Sequence, residues 1–119
     1  MYRVMTAAFR VFAQPVQAEV YAKVTDEAAF RSLVSGKQLR YGMFGIYLMI
    51  GPDGIIGGRA LGSPVIGIWG WQDGYFCRQM AWRGQEIGYN CQLVEAVAAQ
   101  SLRFTSDKGF GPQAAFALE

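Results

Sequence analysis

Cys77 and Cys91 are the two cysteines of the chain, and no histidine accompanies them. Their spacing is not that of a C-x-x-C redox pair, so they offer either a structural cross-link or two buried thiols. Without histidine the chain lacks the commonest general base, the commonest transition-metal ligand and the side chain that titrates near neutrality. No cluster of metal-ligand type is present, and the glycines do not form a phosphate loop between a strand and a helix, so neither a metal nor a cofactor is expected. For acid–base work only Arg78 with Glu86 or Asp73 can be put forward, and Asp73 belongs to a turn while Glu86 belongs to a strand end. Enzymatic activity is therefore the least favoured class. Binding chemistry has better candidates in Trp69, Arg78, Trp82 and Asn90, with Tyr47, Arg59, Glu86 and Tyr89 as weaker ones.

These side chains need a sheet to gather them. Asp73-Gly74 is the strongest hairpin signal in the chain, because a type I′ turn requires positive φ at both central residues and this dipeptide tolerates it. A two-residue turn there opposes Gln72 with Tyr75, Trp71 with Phe76 and Trp69 with Arg78. A three-residue loop at 83–85 then opposes Trp82 with Glu86, Arg78 with Asn90 and Cys77 with Cys91. Directly opposed, non-hydrogen-bonded positions on neighbouring strands are within disulfide reach, so a Cys77–Cys91 bridge is expected, worth roughly 3 kcal/mol by chain entropy. Parity sorts the side chains onto two faces. Tyr75, Cys77, Gln79, Ala81, Ile87, Tyr89, Cys91 and Leu93 share one; Trp69, Trp71, Phe76, Arg78, Met80 and Trp82 share the other, with Asn90 and Gln92 beside them. Neither face is conventionally polar. One should line a core, and the other should be covered by a helix over 25–35, the N-terminal segment or a partner subunit.

Arg78 lies opposite Trp69 and two same-face positions from Trp82, a setting for cation–π stacking in which Asn90 could hold the guanidinium in plane. Such a face suits an anionic head group on an apolar body. The competing reading is ordinary cross-strand packing, with an arginine lying along it and its head in water.

Elsewhere the pattern is that of an all-β domain. Thr25-Asp26-Glu27 offers an N-cap residue and two acids ahead of Ala28–Val34, and Gly36 stands at a C-cap position, which predicts one short helix. From Lys37 onward, short apolar stretches alternate with turn signals every eight to twelve residues. Gly51-Pro52-Asp53-Gly54 joins strands near 45–50 and 55–61; further connections near 98–100 and 108–111 lead into strands at 101–106 and 113–118. The expected fold is mainly β: an antiparallel meander of about seven or eight strands closing into a small barrel, with one short N-terminal helix.

With 119 residues, the chain has room for a single domain, placed at 19–119. Residues 1–18, MYRVMTAAFRVFAQPVQA, carry an early cation, an apolar middle, Pro15, and small or apolar residues at Val16 and Ala18, the layout of a signal peptide. Arg10 interrupts the apolar run, and a short amphipathic helix with Val4, Ala8, Val11 and Phe12 on one stripe is the other reading. A transmembrane span, needing about 20 apolar residues, does not fit. Of eleven cations, Arg3 and Arg10 fall in this stretch, leaving nine against nine acids in the body. A neutral body lacks the footprint for nucleic acid or for electrostatic docking on a membrane.

In the segment Gly67-Ile-Trp-Gly-Trp-Gln-Asp-Gly-Tyr-Phe-Cys-Arg-Gln-Met, with Tyr89-Asn-Cys-Gln-Leu-Val and Leu102-Arg-Phe-Thr downstream, the chain resembles a group of small exported alphaproteobacterial proteins of unknown function. The resemblance covers nearly everything after the leader, and implies export and an oxidised cysteine pair. Some members of that group carry the label dihydrodipicolinate reductase, which implies an NAD(P)-dependent Rossmann enzyme. This chain has no N-terminal strand, glycine-rich turn and helix for such a cofactor, and is too short for that enzyme's two domains. A short lead-in and an eight-stranded barrel also look like calycin-type folds, including periplasmic protease inhibitors, by fold analogy alone. The expectation is a periplasmic or secreted module that binds an apolar or anionic small molecule at the Trp69/Arg78/Trp82 face. A protein-interaction or inhibitor module, including a homo-oligomer, is the alternative.

Overall fold

A computed structural model describes residues 20–119; the expected leader at 1–18 lies outside the described residues. The chain runs β1 (Ala22–Val24), α1 (Glu27–Val34), β2 (Leu39–Tyr41), β3 (Ile46–Ile50), β4 (Ile55–Ala60), β5 (Ser63–Gln72), β6 (Tyr75–Trp82), β7 (Gln85–Val97), β8 (Ser101–Thr105), the four-residue turn α2 (Ser106–Gly109) and β9 (Gln113–Leu118). All pairings are antiparallel. From β7 the sheet passes through β6, β5, β4, β3, β2 and β9 to β8, which pairs with β7 again. Eight strands thus close into a barrel, and the expected mainly β, antiparallel barrel is the observed fold.

Closure rests on the length of β7. Its residues 85–92 pair with β6, and residues 93–97 pair with β8. The ninth strand, β1, pairs with residues 94–96 of β7 and so continues the line of β6. The expected turns hold: Asp73 and Gly74 both have positive φ, 52° and 85°, and set Gln72 against Tyr75. The loop after β6 is tighter than expected. Arg83 and Gly84 form a two-residue turn that opposes Trp82 with Gln85, and a bulge between Met80 and Ala81 then leaves Ile87 unpaired. One residue fewer in the turn and one extra in the strand cancel, so Cys77 still meets Cys91 and Arg78 still meets Asn90. The Cys77–Cys91 disulfide is present, with Cα atoms 3.9 Å apart.

The face carrying Trp69, Phe76, Met80 and Trp82 turns inward. Buried Val24, Phe30, Leu39, Ile56, Val65, Trp69, Phe76, Val94, Leu102 and Phe104 form one core. α1 starts at Asp26, whose side chain accepts from the Ala29 amide at 3.0 Å, one residue later than a Thr25 cap would place it. The helix does not cover a sheet face. It closes one end of the barrel: fully buried Phe30 meets Trp69 and Trp71 of β5, Phe76 of β6 and Phe104 of β8. The outer face stays open among the described residues, with Ile55, Ile66, Ile68 and Tyr89 exposed on it.

Strand contact is closest at two glycines. Gly58 sits at φ 141°, and a β-carbon there would collide with the Tyr47 carbonyl oxygen on β3. Gly67 is buried where β5 pairs with β6, and its β-carbon would come within 2.5 Å of the Gln79 carbonyl oxygen. Gly58→Ala should therefore cost about 2 kcal/mol or more in urea unfolding. Gly57→Ala, with nothing within 4 Å of its β-carbon, should stay within about 0.5 kcal/mol. Equal midpoints for the two would contradict this packing. Replacing both cysteines by alanine should lower stability by about 3 kcal/mol in the same assay.

Candidate functional site

At the end of the barrel away from α1, the interior is not filled. A cavity of about 260 Å³ lies among β2, β3, β4, β6, β7, β8 and β9. Its walls are apolar: Leu39, Leu48, Ile50, Ile56, Phe76, Met80, Phe104, Ala114 and Phe116. Toward α2 the lining changes to Arg78, Gln92, Ser106 and Gln113, with Pro112 beside them. Pro112 and Gln113 are exposed at the rim, so the lumen reaches solvent on that side.

The polar end is built by β6, β7 and the turn after β8. Arg78 and Gln92 share the inward face because Arg78 opposes Asn90 and Phe76 opposes Gln92, which makes the two polar side chains diagonal neighbours. Arg78 Nη1 donates to the Gly88 carbonyl at 2.8 Å. No carboxylate among the described residues forms an ion pair with it. Burial pulls its pKa below the usual arginine range, since the apolar lumen disfavours charge. The guanidinium nevertheless remains a cation at neutral pH. Gln92 is buried and donates through Nε2 to Ser106 Oγ at 3.1 Å. That leaves one amide hydrogen of Gln92 and the hydroxyl hydrogen of Ser106 for other acceptors.

The α2 turn that brings in Ser106 is conformationally costly. Asp107 and Lys108 are both left-handed, at φ 55° and 56°, where a residue with a β-carbon costs on the order of 1 kcal/mol. Asn90 holds the turn: its Oδ1 accepts from the Asp107 amide at 2.9 Å and its Nδ2 donates to Asp107 Oδ1 at 2.8 Å. The Gly111 amide closes the loop by donating to the Ser106 carbonyl at 2.8 Å.

Of the four residues expected to bind together, Arg78 alone lines the cavity. Trp69 lies toward the α1 end, where its Nε1 donates to the Gly51 carbonyl at 2.8 Å and Arg31 covers its ring at 4.8 Å. Trp82 lies toward the other end, its Nε1 donating to the Ala60 carbonyl at 2.9 Å and Arg83 stacked on its ring at 4.4 Å. Arg78 stacks on neither ring, and Asn90 serves the α2 turn instead of the guanidinium. Both tryptophans have found backbone acceptors and other cations nearer to hand, which frees Arg78 to point into the lumen.

The weaker candidates sit elsewhere. Tyr47 and Arg59 oppose each other on β3 and β4, and Arg59 donates to the Gly62 carbonyl at 2.8 Å. Glu86 accepts from Gln79 on the outer face, and Tyr89 Oη lies 3.4 Å from Cys91 Sγ. Among the described residues, no group of three or more His, Cys, Asp or Glu could hold a metal ion, and no helix is long and apolar enough to cross a membrane. Ser106 carried no signal in the sequence, because a turn fixed from another strand brings it to the lumen.

Comparison with protein-family models, with curated proteins and with solved structures finds no match for this chain. The fold and the cavity define the class by themselves: a closed antiparallel barrel, plugged by a helix at one end and hollow at the other.

Asn90→Ala removes both bonds to Asp107 and should release α2. Amide exchange across 107–111 should speed up selectively, with a global loss of about 1–2 kcal/mol. Unchanged protection of those amides in hydrogen-exchange mass spectrometry would contradict the latch.

Proposed function

We propose that this protein is an exported binding module whose barrel lumen takes up a small molecule, with Arg78 as the polar anchor. The observation that carries this reading is one half-buried cation, without a carboxylate partner among the described residues, at the mouth of an otherwise apolar cavity. A cavity opened in a small core and a desolvated charge both reduce stability, so a domain of this size keeps them at a cost that ligand binding would offset. The Cys77–Cys91 bridge favours an oxidising compartment, the periplasm or the exterior. The signal-peptide layout of residues 1–18 and the resemblance to exported proteins point the same way.

Native mass spectrometry of protein purified without denaturation tests this reading. A small-molecule adduct is expected, either co-purified or acquired from added octanoate, and it should be missing from Ala114→Phe, which fills the lumen from β9. Adducts of equal intensity on both proteins, or none on either, would overturn it.

A second reading, association of two copies of the chain, rests on the outer face. Ile55, Ile68, Gln79 and Tyr89 follow one another across β4, β5, β6 and β7, and all four are exposed. If that face is an interface, wild-type protein should sediment as a dimer and Ile68→Lys as a monomer. Monomeric wild-type protein at concentrations of about 100 μM would leave the face without a partner copy.

A further inference from the structure

The lumen also restricts what can bind, and this step rests on the reading above. We infer that the ligand is a compact monocarboxylate, of the size of octanoate or a phenylpropanoate, seated with its carboxylate at Arg78, Gln92 and Ser106.

Size comes from the cavity. At about 260 Å³ the cavity falls just below the range of pockets that hold drug-sized ligands, which begins at about 300 Å³. A compact ligand suits such a space better than a membrane lipid does. α1 closes the far end with Phe30 and the aromatic rings around it, so a longer chain cannot thread through.

Charge comes from the polar end. Among the described residues, Arg78 is the one cation lining the cavity, and no acid lines it. A monoanion is matched there, whereas a phosphate dianion exceeds the single guanidinium by one charge. Arg78 spends one of its five N–H groups on the Gly88 carbonyl and keeps the others free. The remaining hydrogens of Gln92 and Ser106 are neutral donors to the same head group, so carboxylate oxygens can be satisfied by charge-assisted and neutral hydrogen bonds together. Apolar walls from six strands then take the body of the ligand and reject a polar one.

Titration calorimetry at pH 7 tests the inference on the full disulfide-bonded protein, using octanoate, hexadecanoate, octan-1-ol and octyl phosphate as separate probes. Octanoate should bind with one-to-one stoichiometry. Arg78→Met, which keeps the apolar stem and removes the charge, should weaken it by about tenfold or more, the factor expected for loss of a charged hydrogen bond. Octan-1-ol should bind at least about tenfold more weakly than octanoate and be indifferent to Arg78→Met. Hexadecanoate below its micellar concentration should not gain affinity over octanoate, although a surface site would reward every added methylene. Octan-1-ol binding as tightly as octanoate, in wild type and Arg78→Met alike, would leave lumen binding standing and overturn the carboxylate. Octyl phosphate binding tighter than octanoate would overturn the monoanion. If none of the probes binds wild type more tightly than Ala114→Phe, the lumen reading fails and the carboxylate with it.

Discussion

The structure depends on one strand being paired twice. β7 hydrogen-bonds to β6 along its first part and to β8 along its last part, and this overlap turns an open meander into a closed barrel. Closure removes the edges that a sheet of this length would otherwise expose. It also dictates which residues meet inside. Because β8 stops opposite Leu93, the stretch of β7 before it has no strand on that side, and α2 fills the gap at Asn90 and Gln92. The cavity mouth and its polar groups follow from that mismatch in strand length.

The interior is divided accordingly. At one end, Phe30 draws rings from β5, β6 and β8 into an aromatic cluster. At the other end, Met80, Phe116 and Ala114 line a space that they do not fill. A hydrophobic side chain at position 78 would cost less than a guanidinium in that setting, since it would bring no charge to desolvate. The arginine and the left-handed pair Asp107-Lys108 both spend stability at the same mouth. Concentration of such costs in one place is characteristic of a binding site.

Local signals were legible and long-range ones were not. Asp73-Gly74 and Gly51–Gly54 declared their turns because the required φ values narrow the choice of residue. The Cys77–Cys91 rung was legible too, though through a cancellation: a shorter turn at Arg83-Gly84 and the bulged Ile87 together preserve the offset of a longer loop. β1 and β2, at three residues each, are too short to show alternation, and α2 depends on hydrogen bonds from Asn90, far away in sequence. Which face points inward could not be read, because Ile66 and Ile68 outside are as apolar as Val65 and Trp69 inside. For the same reason, Arg78 emerged as a candidate from its neighbours on the strand, but those neighbours turned out to be its partners only in register. The side chains that complete the mouth, Gln92 and Ser106, come from parity and from a turn set at a distance.

The proposed function requires that ligands enter the lumen and do not coat the apolar exterior. Methyl-resolved NMR distinguishes the two directly, because Leu39, Leu48, Ile50 and Ile56 line the cavity while Ile55, Ile66 and Ile68 face outward. With octanoate bound, intermolecular NOEs should connect its chain protons to the first set of methyls and not to the second. NOEs confined to Ile55, Ile66 and Ile68 would contradict uptake by the lumen.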